Sequence, residues 1–356
     1  AALFHQAFQS IVNAMPRNNF AAPHAATRRE GRAAAVEVFA PARLHLGFLD
    51  LDGGLGRRFG GLGLAIDGFG TRLTLARAGA PAASGPGATR ALGYLERAAS
   101  ALGLPPGARI TLTEASPAHA GLGSGTQLGL AVVTALARLH RASIATPQLA
   151  QAIGRGARSG VGIGVFDLGG LIVDGGLGTD PEPAPVISRL DVPAEWRVLL
   201  ILDHARHGLH GSAEMTAFGA LPDFTEALAG RLCRLVLLRL LPGIAERDFV
   251  AVSAAVGEIQ QRLGDYFSAA QNGRYTSPAV AEALAWLHAT GIVGIGQSSW
   301  GPTGFALIDS AAHAAALATA LRDRFAAIRN LEFRVVAGRN HGADITVLAD
   351  EKEGEP

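Results

Sequence analysis

The chain has 356 residues, enough for two hydrophobic cores, and only 17% of them are charged. A formal net charge of +1 with no long basic block argues against a nucleic-acid partner, and no apolar run is long enough to cross a bilayer. With no secretory leader visible either, a cytoplasmic protein without membrane contact is expected.

Cys233 is the one cysteine, which excludes an internal disulfide and a cysteine metal site; it reads as a buried helix residue. The one lysine is Lys352, so any anion must be held by arginine or by backbone amides.

In chain order, residues 1–35 read as an extension, disordered or a short helix, and the ordered chain begins with a strand over 36–48. Six glycines between 53 and 63 suggest a loop. A strand over 71–76, a turn over 81–87, a helix over 89–102 ended by Gly103 and a strand over 109–113 follow. A long helix runs from 121 to about 140, then a short one over 147–156 and a glycine-rich stretch over 154–178. Residues 181–193 carry four prolines and read as a link between domains.

Beyond the link, a strand over 196–202 precedes helices over 212–219, 224–240, 245–263 and 278–289. Strands over 292–295 and 304–308, a helix over 311–328 and strands over 333–337 and 344–348 complete the chain. Strand, helix, strand, strand, helix, strand is the order of a split β-α-β unit. The whole reads as α+β with domains at 36–190 and 191–350 and a tail over 351–356.

The segment S-P-A-H-A-G-L-G-S-G-T-Q over 116–127 follows an expected strand and opens an expected helix. There the first amides of the helix have no internal partner and the helix dipole is positive, so the turn suits a phosphate. Gly121, Gly123 and Gly125 let an anion come close, and Ser124, Thr126 and Gln127 add polar side chains.

P-x-x-x-G-L-G-S over 117–124 resembles the central motif of the GHMP superfamily of small-molecule kinases. P-A-R-L-H-L-G over 41–47 stands where that superfamily has its N-terminal motif, and G-I-G-Q-S-S-W-G-P-T-G over 294–304 where it has its C-terminal glycine-rich one. The kinases continue G-L-G-S-S-A, whereas this chain has Gly125, Thr126 and Gln127. Together with R-S-G-V-G-I-G-V-F-D-L-G-G over 158–170, the segments resemble one branch, the β-ribofuranosylaminobenzene 5′-phosphate synthases of tetrahydromethanopterin biosynthesis.

The resemblance implies a two-domain fold, an N-terminal ribosomal-protein-S5-like domain followed by a ferredoxin-like split β-α-β domain. It implies a transferase that joins phosphoribosyl pyrophosphate to 4-aminobenzoate or 4-hydroxybenzoate, with loss of pyrophosphate and CO2, and Mg²⁺ as a cofactor. A homodimer is expected. An ATP-dependent kinase of the superfamily and a phospho-ligand sensor are the alternatives.

Catalysis is expected from Arg43, His45 and Asp167. Arg43 and His45 lie two residues apart on a strand and so share a face, and Asp50 closes their segment. Arg158 and Ser159 are candidate substrate contacts, and Asp167 or Asp174 a candidate Mg²⁺ ligand, although Asp167 comes later than the kinase aspartate spacing. In the second half, Gln297, Ser298, Ser299 and Trp300 are expected to face the substrate. His204, Arg206, His207 and His210 form a loop over it, with Glu214 nearby, and Arg339 in a late turn is placed to join the cleft.

Overall fold

The computed structural model describes residues 33–180, 182–208, 216–219, 221–271 and 273–349. Most of the expected extension, the C-terminal tail, and the loop carrying His210 and Glu214 lie outside the described residues.

The longest strands open the chain. Strand β1 (Ala33–Asp50) pairs antiparallel with β2 (Phe59–Arg77) along nearly its whole length. The expected glycine loop is therefore shorter than read, and strand begins again at Phe59. β2 then pairs with β4 (Ala108–Glu114), which carries the short β3 (Ala82–Ser84) at its edge. On the other side of β1 lies β11 (Asp344–Ala349), the last strand among the described residues, which completes that side of the first sheet. Two shorter strands, β5 (Leu171–Asp174) and β6 (Val186–Leu190), extend the sheet from β2. The proline-rich stretch thus contains a strand; its prolines flank 186–190, where they remove no ladder hydrogen bond.

One face of this sheet is covered by helices Ala88–Leu102 and Ser124–Leu139, which meet Val36, Val38, Leu73, Leu75, Ile110 and Leu112 in a continuous core. Gly103, in the left-handed conformation, ends the first helix as its position suggested.

The second sheet has four antiparallel strands in the order β10 (Leu331–Ala337), β7 (Arg197–Asp203), β9 (Gly304–Ile308) and β8 (Ile295–Gln297). This is the strand order of the expected ferredoxin-like split β-α-β unit. Alternation along β7 divides its burial: Leu199 and Ile201 pack with helices Pro278–Ala289 and Ala311–Arg324, while Val198, Leu200 and Leu202 join a core shared with the first sheet.

Helix Phe249–Gln271 lies in that shared core. Ahead of it, Pro242 has no amide to donate to Leu238, and the chain passes from helix Glu226–Leu235 through a π-helical turn, Val236–Leu240, into helix Leu241–Glu246. Cys233 is exposed on the first of these helices, not buried as its residue type suggested.

Arg339 pins the edge of the first sheet from within. Its guanidinium, 8% exposed, reaches Asp67 at 3.1 Å and Asp344 at 2.9 Å, donates to the Gly342 carbonyl and lies over the Phe39 ring. It is thus a structural clamp and does not join the phosphate turn. Arg339→Ala leaves two carboxylates and a carbonyl without their donor, so stability should fall by about 2–4 kcal/mol, read as a lower urea midpoint at unchanged m-value.

Candidate active site

The three glycine-bearing motifs meet at one carbonyl. Gly121 O accepts from Arg43 Nη1 at 2.9 Å and from Ser298 Oγ at 2.7 Å. Arg43 N donates to Leu122 O at 3.1 Å, His45 N to Ser298 Oγ at 3.0 Å and Ser299 N to His45 O at 3.2 Å. A Cβ on Gly121, whose φ is +84°, would lie 2.2 Å from Ser298 O, so only glycine fits. Strand β1, the phosphate turn and the 298–301 turn are thereby locked together.

Gly123 caps helix Ser124–Leu139 at φ 75° and accepts from the amides of Thr126 and Gln127. The helix N-terminus opens into a cleft of roughly 560 Å³ lined by Arg43, Arg90, Arg155 and Arg158. Built on Gly125, a Cβ would stand 3.1 Å from a terminal nitrogen of both Arg90 and Arg155, so two guanidiniums converge over the first turn of the helix. Among the described residues no aspartate or glutamate lines this cleft. Four guanidiniums beside a positive helix end repel one another, and a multiply charged anion relieves that repulsion.

Supporting side chains hold the arginines. The Tyr94 hydroxyl accepts from Arg155 Nη2, and the Tyr94 ring lies 5.4 Å from the Arg155 guanidinium. Arg158 lies at the same distance over Phe218. Neither Arg90 nor Arg155 stood out in the sequence. Arg90 sits in the first turn of helix Ala88–Leu102, where a cation opposes the dipole and no acid accompanies it, and that misplacement is the signal that marks it. Arg155 stands between Gly154 and Gly156, just past helix Thr146–Ala152.

His45 is buried at the inner end of the cleft, its ring 4.7 Å from Phe48. Burial, and then the Arg43 charge, lowers its pKa to about 3, so the imidazole is neutral, and its buried Nε2 has no hydrogen-bond partner among the described residues.

Other expected site residues serve the scaffold. Asp174 is fully buried and accepts from Ser159 Oγ and Gly160 N at 2.8 Å, from Val161 N at 3.2 Å and from Gly176 N at 2.9 Å. It caps helix Val161–Leu168, and Ser159, although it lines the cleft, is committed to that cap. Asp167 is exposed at the far end of the same helix, accepts from Thr146 Oγ1 at 2.6 Å and does not line the cleft. Gln127 is buried, donates to Gly162 O and does not itself line the cleft. Asp50 holds the turn at Asp52 and Gly53. His204 pairs with Glu332 on the surface, while Gly208 N donates to His119 O and brings that loop beside the phosphate turn. Among the described residues no group of three or more His, Cys, Asp or Glu side chains is arranged to hold a metal.

Comparison with known proteins agrees with this architecture. The model described as GHMP kinases N terminal domain matches residues 88–170, and GHMP kinases C terminal matches 240–327. A beta-ribofuranosylphenol 5′-phosphate synthase from Archaeoglobus fulgidus is 34% identical over 321 residues, covering 86% of this chain and 98% of that protein. One of the same name from Methanothermobacter thermautotrophicus is 29% identical, covering 76% and 87%. Homoserine kinase from Cytophaga hutchinsonii has a similar fold, with a TM-score of 0.64 at 20% identity over 90% of this chain and all of that one. So has mevalonate diphosphate decarboxylase from Staphylococcus aureus, at 0.63 and 13% over 88% and 98%.

Two outcomes test the roles of the buried polar groups. Asp174→Ala removes a cap with four donors and should cost about 2–4 kcal/mol of stability, seen in chemical denaturation. For His45 the folded pKa is depressed, so below pH 6.5 the unfolded chain takes up a proton that the folded chain refuses until about pH 3. Its contribution is whole above pH 6.5 and is lost as pH falls through that window. His45→Gln should therefore flatten the acid side of the stability curve, by up to ~1 kcal/mol per pH unit, measured as urea midpoints from about pH 4 to 7.

Proposed function

We propose a specific reaction for this chain, which belongs to the family of β-ribofuranosylphenol 5′-phosphate synthases within the GHMP superfamily. Its members are enzymes, and the reaction we assign is the transfer of a 5-phosphoribosyl group from phosphoribosyl pyrophosphate to the ring of 4-hydroxybenzoate or 4-aminobenzoate. The ring carbon that bears the carboxylate forms a bond to the ribose anomeric carbon. The anomeric C–O bond breaks with its electrons leaving on pyrophosphate, and the C–CO2 electron pair returns to the ring as CO2 departs.

The observation that carries this reading is the ring of four arginines at a helix N-terminus, with no carboxylate lining the cleft among the described residues. A diphosphate leaving group and a 5-phosphate both demand such an environment, and pre-set donors stabilise the charge that builds on pyrophosphate. Ring substitution with loss of CO2 releases no proton, so it needs no general base. That agrees with a His45 neutral down to about pH 3 and with Asp167 outside the cleft. A kinase acting on an alcohol would use a carboxylate base and carboxylate metal ligands, for which this cleft has no side chain among the described residues.

The donor set also bears on Mg²⁺. Among the described residues the cleft offers no carboxylate to a hard cation, and its oxygen-bearing side chains are the hydroxyls of Ser124, Thr126, Ser159 and Ser299. Magnesium belongs in this reading to the substrate, as the counter-ion of the diphosphate. The same reading takes the enzyme to be cytoplasmic and homodimeric, serving tetrahydromethanopterin biosynthesis. No helix among the described residues is long and apolar enough to cross a membrane.

With carboxyl-labelled 4-hydroxybenzoate or 4-aminobenzoate, phosphoribosyl pyrophosphate and Mg²⁺ but no ATP, labelled CO2 should be released only when both substrates are present. ATP consumption against small alcohols instead would restore the kinase, and ligand binding without turnover the sensor. Arg90→Ala and Arg155→Ala should each raise KM for phosphoribosyl pyrophosphate by about 10- to 100-fold, as expected for the loss of a charge-assisted pair.

A further inference from the structure

A second, much narrower cavity of about 50 Å³ adjoins the arginine-lined cleft. The two share His45, Phe48 and Ser299, which therefore form the doorway between them. Beyond the doorway the walls include Leu263, Phe267 and Trp300, together with Gln271, Gln297, Tyr275 and Arg274, the last paired with Asp265 at 2.7 Å. The aromatic walls are braced edge to face: Phe267 meets Trp300 at 4.8 Å between ring centres, and Trp300 meets Phe218 at 5.3 Å.

The polar groups of these walls are set in place before any ligand arrives. Gln297 Oε1 accepts from Thr276 N at 2.7 Å, and its Nε2 donates to Ser299 O at 3.0 Å and to Gln271 Oε1 at 3.2 Å. Gln271 Nε2 donates in turn to Arg274 O at 2.8 Å. Each carboxamide keeps hydrogen-bonding capacity beyond these bonds. One ring nitrogen on the walls is left over: His45 Nε2, on a residue 4% exposed, has no hydrogen-bond partner among the described residues. Ser299 holds a left-handed φ of 56° at the doorway, a strained conformation for a residue with a Cβ.

We propose that this cavity is the subsite for the aromatic acid, taking a flat para-hydroxy- or para-aminobenzoate whose carboxylate-bearing carbon stands at the doorway and whose para substituent reaches the Gln271–Gln297 end. The inference rests on the reaction proposed above, and bond formation sets the orientation. The carbon that carries the carboxylate must face the anomeric carbon in the arginine cleft, so the para group points the other way. Apolar walls favour the ring, and the carboxamides keep between them one spare donor, on Gln271 Nε2, and one spare acceptor, on Gln297 Oε1, a pair that suits a hydroxyl and an amino group alike. At the doorway the neutral His45 adds no positive charge beside an anomeric carbon that becomes cationic. The apolar face of Phe48 favours conversion of a carboxylate into uncharged CO2.

Phe267→Ala and Gln271→Leu test the assignment through steady-state kinetics on both substrates. Each should raise KM for the aromatic acid at least ten-fold and leave KM for phosphoribosyl pyrophosphate within two-fold. An unchanged KM for the acid, or a rise confined to phosphoribosyl pyrophosphate, would overturn the subsite. A titration of wild-type protein with 4-hydroxybenzoate, followed by tryptophan fluorescence, keeps the question open to decision if either variant fails to fold. Saturable quenching that disappears in Trp300→Phe, which retains Trp196 and Trp286, supports the cavity; its persistence in that variant, or no quenching at all, overturns it. Wild-type protein that quenches normally yet releases no CO2 would count against the reaction and leave the aromatic subsite standing.

Discussion

Everything in this molecule that bears on anions depends on one backbone carbonyl. Gly121 O takes a guanidinium hydrogen from strand β1 and a hydroxyl hydrogen from the turn before β9. With Arg43 N on Leu122 O and His45 N on Ser298 Oγ, that node ties the arginine that walls the cleft to the helix N-terminus that floors it. The absence of a side chain at Gly121 is what allows the three backbones to approach, because Ser298 O occupies the space of a Cβ and Gly301 packs from the same side. Pre-organisation here is a matter of covalent economy: the closest contact is made where there is least to exclude.

Charge placement follows the same logic in reverse. A chain whose only lysine is Lys352 places four arginines around one cleft, and among the described residues no carboxylate joins its lining. The nearby Asp174 is turned inward and saturated by amides and a hydroxyl, so it stabilises helix Val161–Leu168 without cancelling the cleft's positive field. Planar guanidiniums held by Tyr94 and Phe218 keep their forks in fixed orientations, which matters for a ligand with two separate phosphoryl ends.

The sequence disclosed the parts of the fold that are local. The helix ended by Gly103, the turn over 121–127 and strands β7, β9 and β10 announce themselves through caps and alternation, whereas β8, expected over 292–295, forms at Ile295–Gln297. What stayed hidden was decided by tertiary packing. Helix Val161–Leu168 lies in a glycine-rich stretch and forms because Asp174, from a strand, caps it and because Gly61 and Gly63 of β2 leave room for Val161. Those same glycines made β2 look like a loop. Asp167 was singled out for its residue type near Ser159 and Gly160, but the helix between carries it to the surface. Arg90 and Arg155 were missed because sixty-five positions separate them in the chain and only the folded sheet brings both to Gly125.

A shared fold therefore need not carry a shared reaction. The helix N-terminus that suits a nucleotide's phosphates suits any polyphosphate, and the chemistry is set by what surrounds it. Phosphoryl transfer to an alcohol asks for a base and for metal ligands, both usually carboxylates. Displacement at an anomeric carbon by an aromatic ring that gives up CO2 asks for neither. It asks for a strongly positive seat for the leaving group and a dry, flat-walled space next to it. The doorway of His45, Phe48 and Ser299 stands between one cavity lined by arginines and one lined by aromatic rings. A histidine kept neutral by burial beside Arg43 suits that boundary, since in the reaction we propose a charged imidazole would repel the anomeric carbon.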